Sequence, residues 1–244
     1  MRTLILCEGK TDAILISYLL CKISNWEITK PDKKMRIDIS EQNNESAYWY
    51  RRNDDKLLIC GVGGKDRFSS FFAEKLYDII INYPKEETFD KVIVIQDKDT
   101  EEITTIERKI KESLYPIANE IQNNKWITNE YIDSFGKLLK IDLLGIVIPF
   151  ENEGALETVL LTSMKEKTPE RHIVENSEQF VDDIKEYASD FIDKPRMELK
   201  AKLGVTFAIL SPMKVFSFID EQIKAVQWEK YDYIKQVFCK VLEL

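Results

Sequence analysis

The chain has 244 residues, 44% of them hydrophobic and 32% charged, with eight glycines and seven prolines, which excludes a disordered or fibrous polymer and suits one large domain or a core with an appended subdomain. Lys and Arg number 35 against 43 Asp and Glu, a net charge of −8, so no general attraction to a polyanion follows from the totals and any nucleic-acid contact must be local. The single histidine, His172, removes imidazole-based triads and two-histidine zinc helices.

Leu4-Ile5-Leu6-Cys7 reads as a strand buried on both faces, closed by Glu8-Gly9. A helix follows, capped by Thr11, with Asp12 in its first turn and apolar residues from Ala13 to Ile23. Residues 26–56 turn polar and read as an insertion with room for a hairpin, its apolar pieces being Met35-Arg36-Ile37-Asp38-Ile39 and Ala47-Tyr48-Trp49-Tyr50. A second strand, Leu57 to Cys60, passes through Gly61-Val62-Gly63-Gly64 into a helix from Ser69 to Tyr83, stopped by Pro84. Val92 to Ile95 is the third strand and ends in Gln96-Asp97-Lys98-Asp99; a helix from Thr100 to Leu114 and a helical stretch over 126–139 follow. Leu143 to Ile148 is the fourth strand, leading into a helix from Ala155 to Leu161, and 177–244 has helical spacing throughout. The alternation implies a mostly parallel four-stranded α/β sheet with helices on both faces, over residues 1–150, and a helical C-terminal extension over 151–244.

In such a sheet ligands bind beyond the carboxyl ends of the strands. Glu8 ends the first strand, and Asp97 and Asp99 end the third; with Asp12 one turn into the first helix, these carboxylates converge if the two strands are neighbours. Converging carboxylates repel unless a cation intervenes, and a hard divalent ion, Mg²⁺ or Mn²⁺, suits an open acidic edge that also admits phosphate oxygens. The chemistry this favours is phosphoryl transfer.

Glu8-Gly9-Lys10-Thr11-Asp12 after one buried strand and Asp97-Lys98-Asp99 after a later one resemble the Toprim domain, which is shared by topoisomerases, bacterial primases, nucleases of the overcoming-lysogenisation-defect (OLD) type and small RNA-maturing nucleases. The resemblance implies a Toprim-like (Rossmann-like) core over residues 1–150. It also implies acid/base or metal-ligand work for Glu8 and Mg²⁺ binding by Asp97 and Asp99. The Glu-x-x-x-Asp form, Glu8 with Asp12, is most like the OLD-type nucleases, and the chain resembles stand-alone Toprim proteins of this size. OLD-type nucleases also use a lysine beyond the Toprim core, and Lys200 is the candidate by that likeness. Gly9-Lys10-Thr11 does not read as a phosphate-binding P-loop, because Leu4 stands where the first glycine belongs and Glu8 would put a carboxylate into the anion cradle.

Lys10, Lys65, Arg67 and Arg196 are candidate phosphate contacts; Arg196 and Lys200 lie one turn apart on one helix face, which a solvated basic face explains equally well. Tyr48-Trp49-Tyr50-Arg51-Arg52 interleaves rings and guanidinium groups as base-stacking surfaces do, but the rim of a hairpin looks the same. Glu151, Glu153 and Glu157 border the same edge, with Glu153 a candidate outer ligand, while Glu101 and Glu102 read as helix-dipole residues. Trp228, Tyr231, Tyr233 and Phe238 read as docking on the core or forming a dimer face. Cys7, Cys21, Cys60 and Cys239 form no C-x-x-C pair and read as reduced thiols in a cytoplasm. No apolar run approaches the roughly 18 residues of a membrane span, and the start is too short for a secretory leader. A topoisomerase or primase would need further domains, so the expectation is a Mg²⁺-dependent nuclease acting on DNA or RNA. The alternative is a non-catalytic Toprim-like module that binds a nucleic acid or protein within a larger system.

Overall fold

The computed structural model describes residues 1–32, 35 and 37–244; Arg36, part of an apolar piece of the 26–56 segment, lies outside them. The chain runs β1 (Arg2–Cys7), α1 (Lys10–Ile23), β2 (Glu27–Ile28), β3 (Ser46–Arg52), β4 (Asp55–Gly61), α2 (Phe68–Phe71), α3 (Tyr77–Asn82), β5 (Lys91–Asp97), α4 (Ile103–Ser113), β6 (Trp126–Ile132) and β7 (Leu138–Ile148). Six helices follow: α5 (Leu156–Met164), α6 (Thr168–Ile184), α7 (Pro195–Leu210), α8 (Ile219–Ala225), α9 (Asp232–Val237) and α10 (Cys239–Leu242). No described helix is long and apolar enough to cross a membrane.

The strands form one seven-stranded sheet in the order β2-β3-β4-β1-β5-β7-β6. Pairings β1–β4, β1–β5 and β5–β7 are parallel, whereas β2–β3, β3–β4 and β6–β7 are antiparallel. This mixed sheet corrects the expected mostly parallel four-stranded, Toprim-like sheet. Two segments account for the difference. The polar stretch read as an insertion contributes β2 and β3, which widen the sheet beyond β4, with Trp49 and Tyr50 buried. The stretch read as helical over 126–139 is the antiparallel ribbon of β6 and the start of β7, turning at Asp133–Gly136, where Gly136 has φ 78°. Its apolar residues satisfy a helical spacing, but Asn129 and Tyr131 are buried between exposed neighbours, the period-two signature of a strand.

The central strands are buried on both faces and split their side chains by parity. Ile5 and Cys7 of β1, Ile93 and Ile95 of β5 and Leu144, Ile146 and Ile148 of β7 join α1, α5 and the C-terminal helices. Leu4 and Leu6, Val92 and Val94, Leu143 and Val147 face α2, α3 and α4 on the other side. Trp228, Tyr231 and Phe238 belong to the first of these layers, so the C-terminal segment is packed onto the sheet and not held away from it. Trp26 is stacked under the Arg52 guanidinium, 4.8 Å from its ring centroid, and Arg51 reaches Glu27 across the edge at 3.6 Å. These contacts give the ring-and-guanidinium cluster of β3 a structural use.

Parallel strands end at one edge, and there β1 and β4 approach closely. A Cβ at Gly61 would stand 2.8 Å from both the carbonyl carbon and oxygen of Gly9 and from Ser46 Oγ, so the turn after β1 that carries Glu8 fits against β4 only because residue 61 lacks a side chain. Gly61→Ala is expected to cost about 1–3 kcal/mol through overpacking, read as a lower urea midpoint at unchanged slope.

Candidate active site

The acids singled out at the strand ends meet. Pairing of β1 with β5 sets Cys7 opposite Ile95, and one residue beyond β1 the Glu8 carboxylate accepts a hydrogen bond at Oε1 from the Asp97 backbone N–H, 3.2 Å away. Asp97 closes β5 and is buried; its Oδ1 accepts from the Leu156 N–H at 2.9 Å, at the N-terminus of α5. Asp12 accepts from the Gly9 N–H at 3.0 Å, holding the turn between β1 and α1. Asp99 sits in a left-handed conformation, φ 49°, stapled to Gly154 by two backbone hydrogen bonds of 2.6 and 2.9 Å. That staple ties the end of β5 to the segment leading into α5, and so to Glu157.

One cation spans these groups. Arg196, in the first turn of α7, places Nη1 2.6 Å from Asp97 Oδ2 and 3.2 Å from Asp99 Oδ1, and Nε 3.4 Å from Glu157 Oε2. Lys65, beyond β4, holds the other Asp99 oxygen at 2.9 Å and reaches Glu101 at 2.5 Å. The contacts of Arg196 with Asp97 and Glu157 are ion pairs by distance but not aligned hydrogen bonds. Asp97 Oδ2, Glu157 Oε2 and Arg196 Nε are therefore buried without a hydrogen-bond partner.

Burial and crowding push the carboxyls up. Glu8 rises to about 8, first through desolvation, then through Asp97 and Asp12, with Arg196 opposing. Asp12 rises to about 7 by burial and the nearby Asp97 charge. Asp97 rises only to about 6, because Arg196 offsets much of its burial. The same acids raise Arg196 further above its already high value, so it stays charged.

The remaining expected site residues divide. Lys10 and Lys200 are exposed and, with Glu8, Asp12 and Arg196, line a cavity of about 480 Å³; among the described residues neither lysine makes an ion pair. Arg67 is drawn elsewhere, to Glu45, whose side chain is fully buried, at 3.0 Å. Glu153 lines a second cavity with Asp99 and Arg196. Glu101, read as a helix-dipole residue, instead joins the ion-pair chain through Lys65 and Lys109. In the sequence Glu157 is marked only as an acid near the edge; its single local signal is a place in the first turn of the helix after β7. His172 lies exposed on α6, away from this edge.

Among the described residues no three His, Cys, Asp or Glu side chains stand together as ligands of a metal ion; the guanidinium lies between Asp97 and Asp99. The donors nonetheless fit a hard divalent ion in kind, being carboxylate oxygens of which two are buried without a hydrogen bond.

No family model matches the chain, and no curated protein matches it. Among solved structures it is similar to a hypothetical protein from Pyrococcus horikoshii OT3, at 16% identity over 100% of this chain and 99% of that chain, with a TM-score of 0.48. A likeness of that degree carries no role from one protein to the other.

The raised carboxyls set the sign of a pH dependence. In the unfolded chain they ionise near 4, whereas in the fold they hold protons to about 6, 7 and 8. The native state thus binds more protons between these limits, so their contribution is most favourable at low pH and declines as pH rises from about 4 to 8. Glu198, lowered to about 2 by Lys185 and Lys202, acts oppositely, but its effect is complete above pH 5. Without divalent ions the melting temperature should fall as pH rises from 5 to 8. Glu8→Gln should flatten the profile; a wild-type curve already flat would show that the acids ionise freely.

Proposed function

We propose that this protein is a Mg²⁺-dependent phosphoryl-transfer enzyme that cuts phosphodiester bonds of nucleic acid in the cytoplasm. One observation carries the reading. Acids from separate parts of the chain, Glu8, Asp97 and Asp99, meet at the carboxyl edge of the parallel strands around a single guanidinium, beside a cavity lined by the exposed Lys10 and Lys200.

In this reading Asp97 and Asp99 hold the ion, Mn²⁺ substituting for Mg²⁺, and Glu8 shares it. When bound, the ion supplies charge neutralisation on the transferring phosphate. Glu8, with a pKa near 8, is poised to accept or return a proton at neutral pH. Asp12 keeps the Glu8 turn in place through Gly9. Arg196 and Lys200 stabilise charge on the phosphate, and Lys10 and Lys65 add positive charge around it. The motif likeness to Toprim nucleases, Glu8 to Asp12 and Asp97 to Asp99, supports the same assignment residue by residue, although the mixed sheet departs from the Toprim plan.

A second reading draws on Arg196 itself. A guanidinium that already pairs Asp97, Asp99 and Glu157 makes the acidic cluster tolerable without any metal, which suits a non-catalytic module that binds nucleic acid or a protein.

Thermal melting with Mn²⁺ or Mg²⁺ separates the two. The enzymatic reading expects a rise in melting temperature for the wild type, lost in Asp97→Asn, together with cleavage of single-stranded or circular nucleic acid that Glu8→Gln reduces by at least about a hundredfold. Unchanged melting and absent cleavage under both ions would leave the module.

A further inference from the structure

The cavity beside the acids has two chemically different walls. One carries Glu8, Asp12 and Arg196, with the exposed Lys10 and Lys200; the other is apolar, built from the exposed Ile219 and the edges of Leu156, Leu203 and Phe207, which otherwise lie in the core. A metal ion and a phosphate need only the first wall. At about 480 Å³ the space falls within the range of small-molecule sites, and the pairing of walls suits a ligand with one anionic end and one apolar body.

Gly204 adds an independent sign. It lies inside α7 and lines the same cavity. Glycine is the least favourable helix-interior residue after proline, so some other constraint is expected to select it. Packing is not that constraint: a Cβ at 204 would meet nothing within 4 Å, unlike the one at Gly61. What the glycine leaves is room. Gln222 and Asn44 also line the cavity; Gln222 Nε2 already donates to the Lys214 and Ser217 carbonyls at 3.3 Å, so Gln222 Oε1 and the Asn44 amide are the groups that the polar edge of a heterocycle would meet.

We propose that this cavity seats the nucleoside of a nucleotide unit, its base over Gly204 and against the Ile219, Leu203 and Phe207 edge and its phosphate between Lys10, Lys200 and Arg196. The proposal deepens the phosphodiester reading and rests on it for the identity of the anionic end. The nucleotide comes either free or as the terminal unit of a strand, and both present the same base and phosphate.

The test is isothermal titration of the full chain in EDTA with four nucleoside 5′-monophosphates, ribose 5-phosphate and inorganic phosphate. At least one nucleotide should bind about tenfold or more tighter than ribose 5-phosphate, from the contribution of the base. Gly204→Leu should remove that difference while leaving ribose 5-phosphate binding in place, and Lys200→Ala should weaken both ligands. Gly204→Ala, which meets no neighbour, provides the folding control and should melt no lower than wild type. Equal binding of nucleotide and ribose 5-phosphate, or a base-dependent difference that survives Gly204→Leu, overturns the proposal. A 5′-phosphorylated trinucleotide that binds about tenfold tighter than the mononucleotide identifies the strand as the source, and equal affinity identifies the free nucleotide. Cleavage is read separately. Asp97-dependent cleavage without base-dependent binding removes the nucleoside pocket alone, and base-dependent binding without cleavage removes the enzymatic reading alone.

Discussion

Burying carboxylates at the end of a strand is costly, because an ionised group taken out of water must be protonated, paired or bound to a cation. Asp97 is almost fully buried, Glu8 lies against its backbone, and Asp12 is close enough to raise Glu8. The protein meets this constraint with Arg196, a residue about a hundred positions further along the chain, held at the start of α7. The consequence is architectural. The helices after β7 cover one face of the sheet and also deliver the charge that the acidic edge requires. Arginine suits the position, since its planar fork can address Asp97, Asp99 and Glu157 together and does not lose its charge on burial as a lysine readily does.

The backbone prepares for that guanidinium. Parallel pairing of β1 with both β4 and β5 brings three strand ends to one edge, and the bare backbone at Gly61 lets the Glu8 turn lie flat against its neighbour. On the other side of β5, the left-handed Asp99 and its two-bond staple to Gly154 fix the entry to α5, so that the first helical N–H, that of Leu156, points at Asp97. At Gly154 itself φ is 138°, and a Cβ would run into the Thr158 hydroxyl. Neither end of the staple is therefore freely replaceable. Geometry of this kind constrains the acids far more tightly than their own rotamers would.

The continuous apolar runs Leu4–Cys7, Leu57–Cys60, Val92–Ile95 and Leu143–Ile148 were legible in the sequence because a strand covered on both faces leaves no polar positions to blur it. From those runs the meeting of Glu8 with Asp97 follows once β1 and β5 are adjacent. The edges of the sheet were not legible for a physical reason. Between Trp126 and Leu139 the apolar residues at 126, 127, 131, 132, 135, 138 and 139 fit a helical face, and only the tertiary contacts of Asn129 and Tyr131 select the ribbon. β2 is two residues long and carries no strand signal of its own, whereas the Tyr48-Trp49-Tyr50 run of β3 reads as the rim of a hairpin, with nothing local to say which strand it pairs with. Arg196 could be read as basic and one turn from Lys200, but nothing local distinguishes a guanidinium facing solvent from one aimed at three distant carboxylates. The same limit hides the pairing of Arg67 with buried Glu45. Long-range charge partners are chosen by packing, whereas sequence spacing reports only the face of the element a residue occupies.

The electrostatics of the edge also bear on the order in which ligands arrive. Asp97, Asp99 and Glu157 all face Arg196, so a phosphate approaching the guanidinium alone meets negative charge at close range. Lys10 and Lys200 line the cavity, exposed and without ion-pair partners of their own among the described residues, and so offer an entering anion attraction that is not already spent within the protein. Arg196 differs, since it must weaken its hold on Asp97, Asp99 or Glu157 before it can serve a phosphate fully. Any added positive charge that takes over those carboxylates would release it for that purpose. Cation binding and anion binding at this edge are thus linked through one side chain, and each is expected to favour the other. That linkage arises from the position of α7, which is why the helical C-terminal part belongs to the site as much as the sheet does.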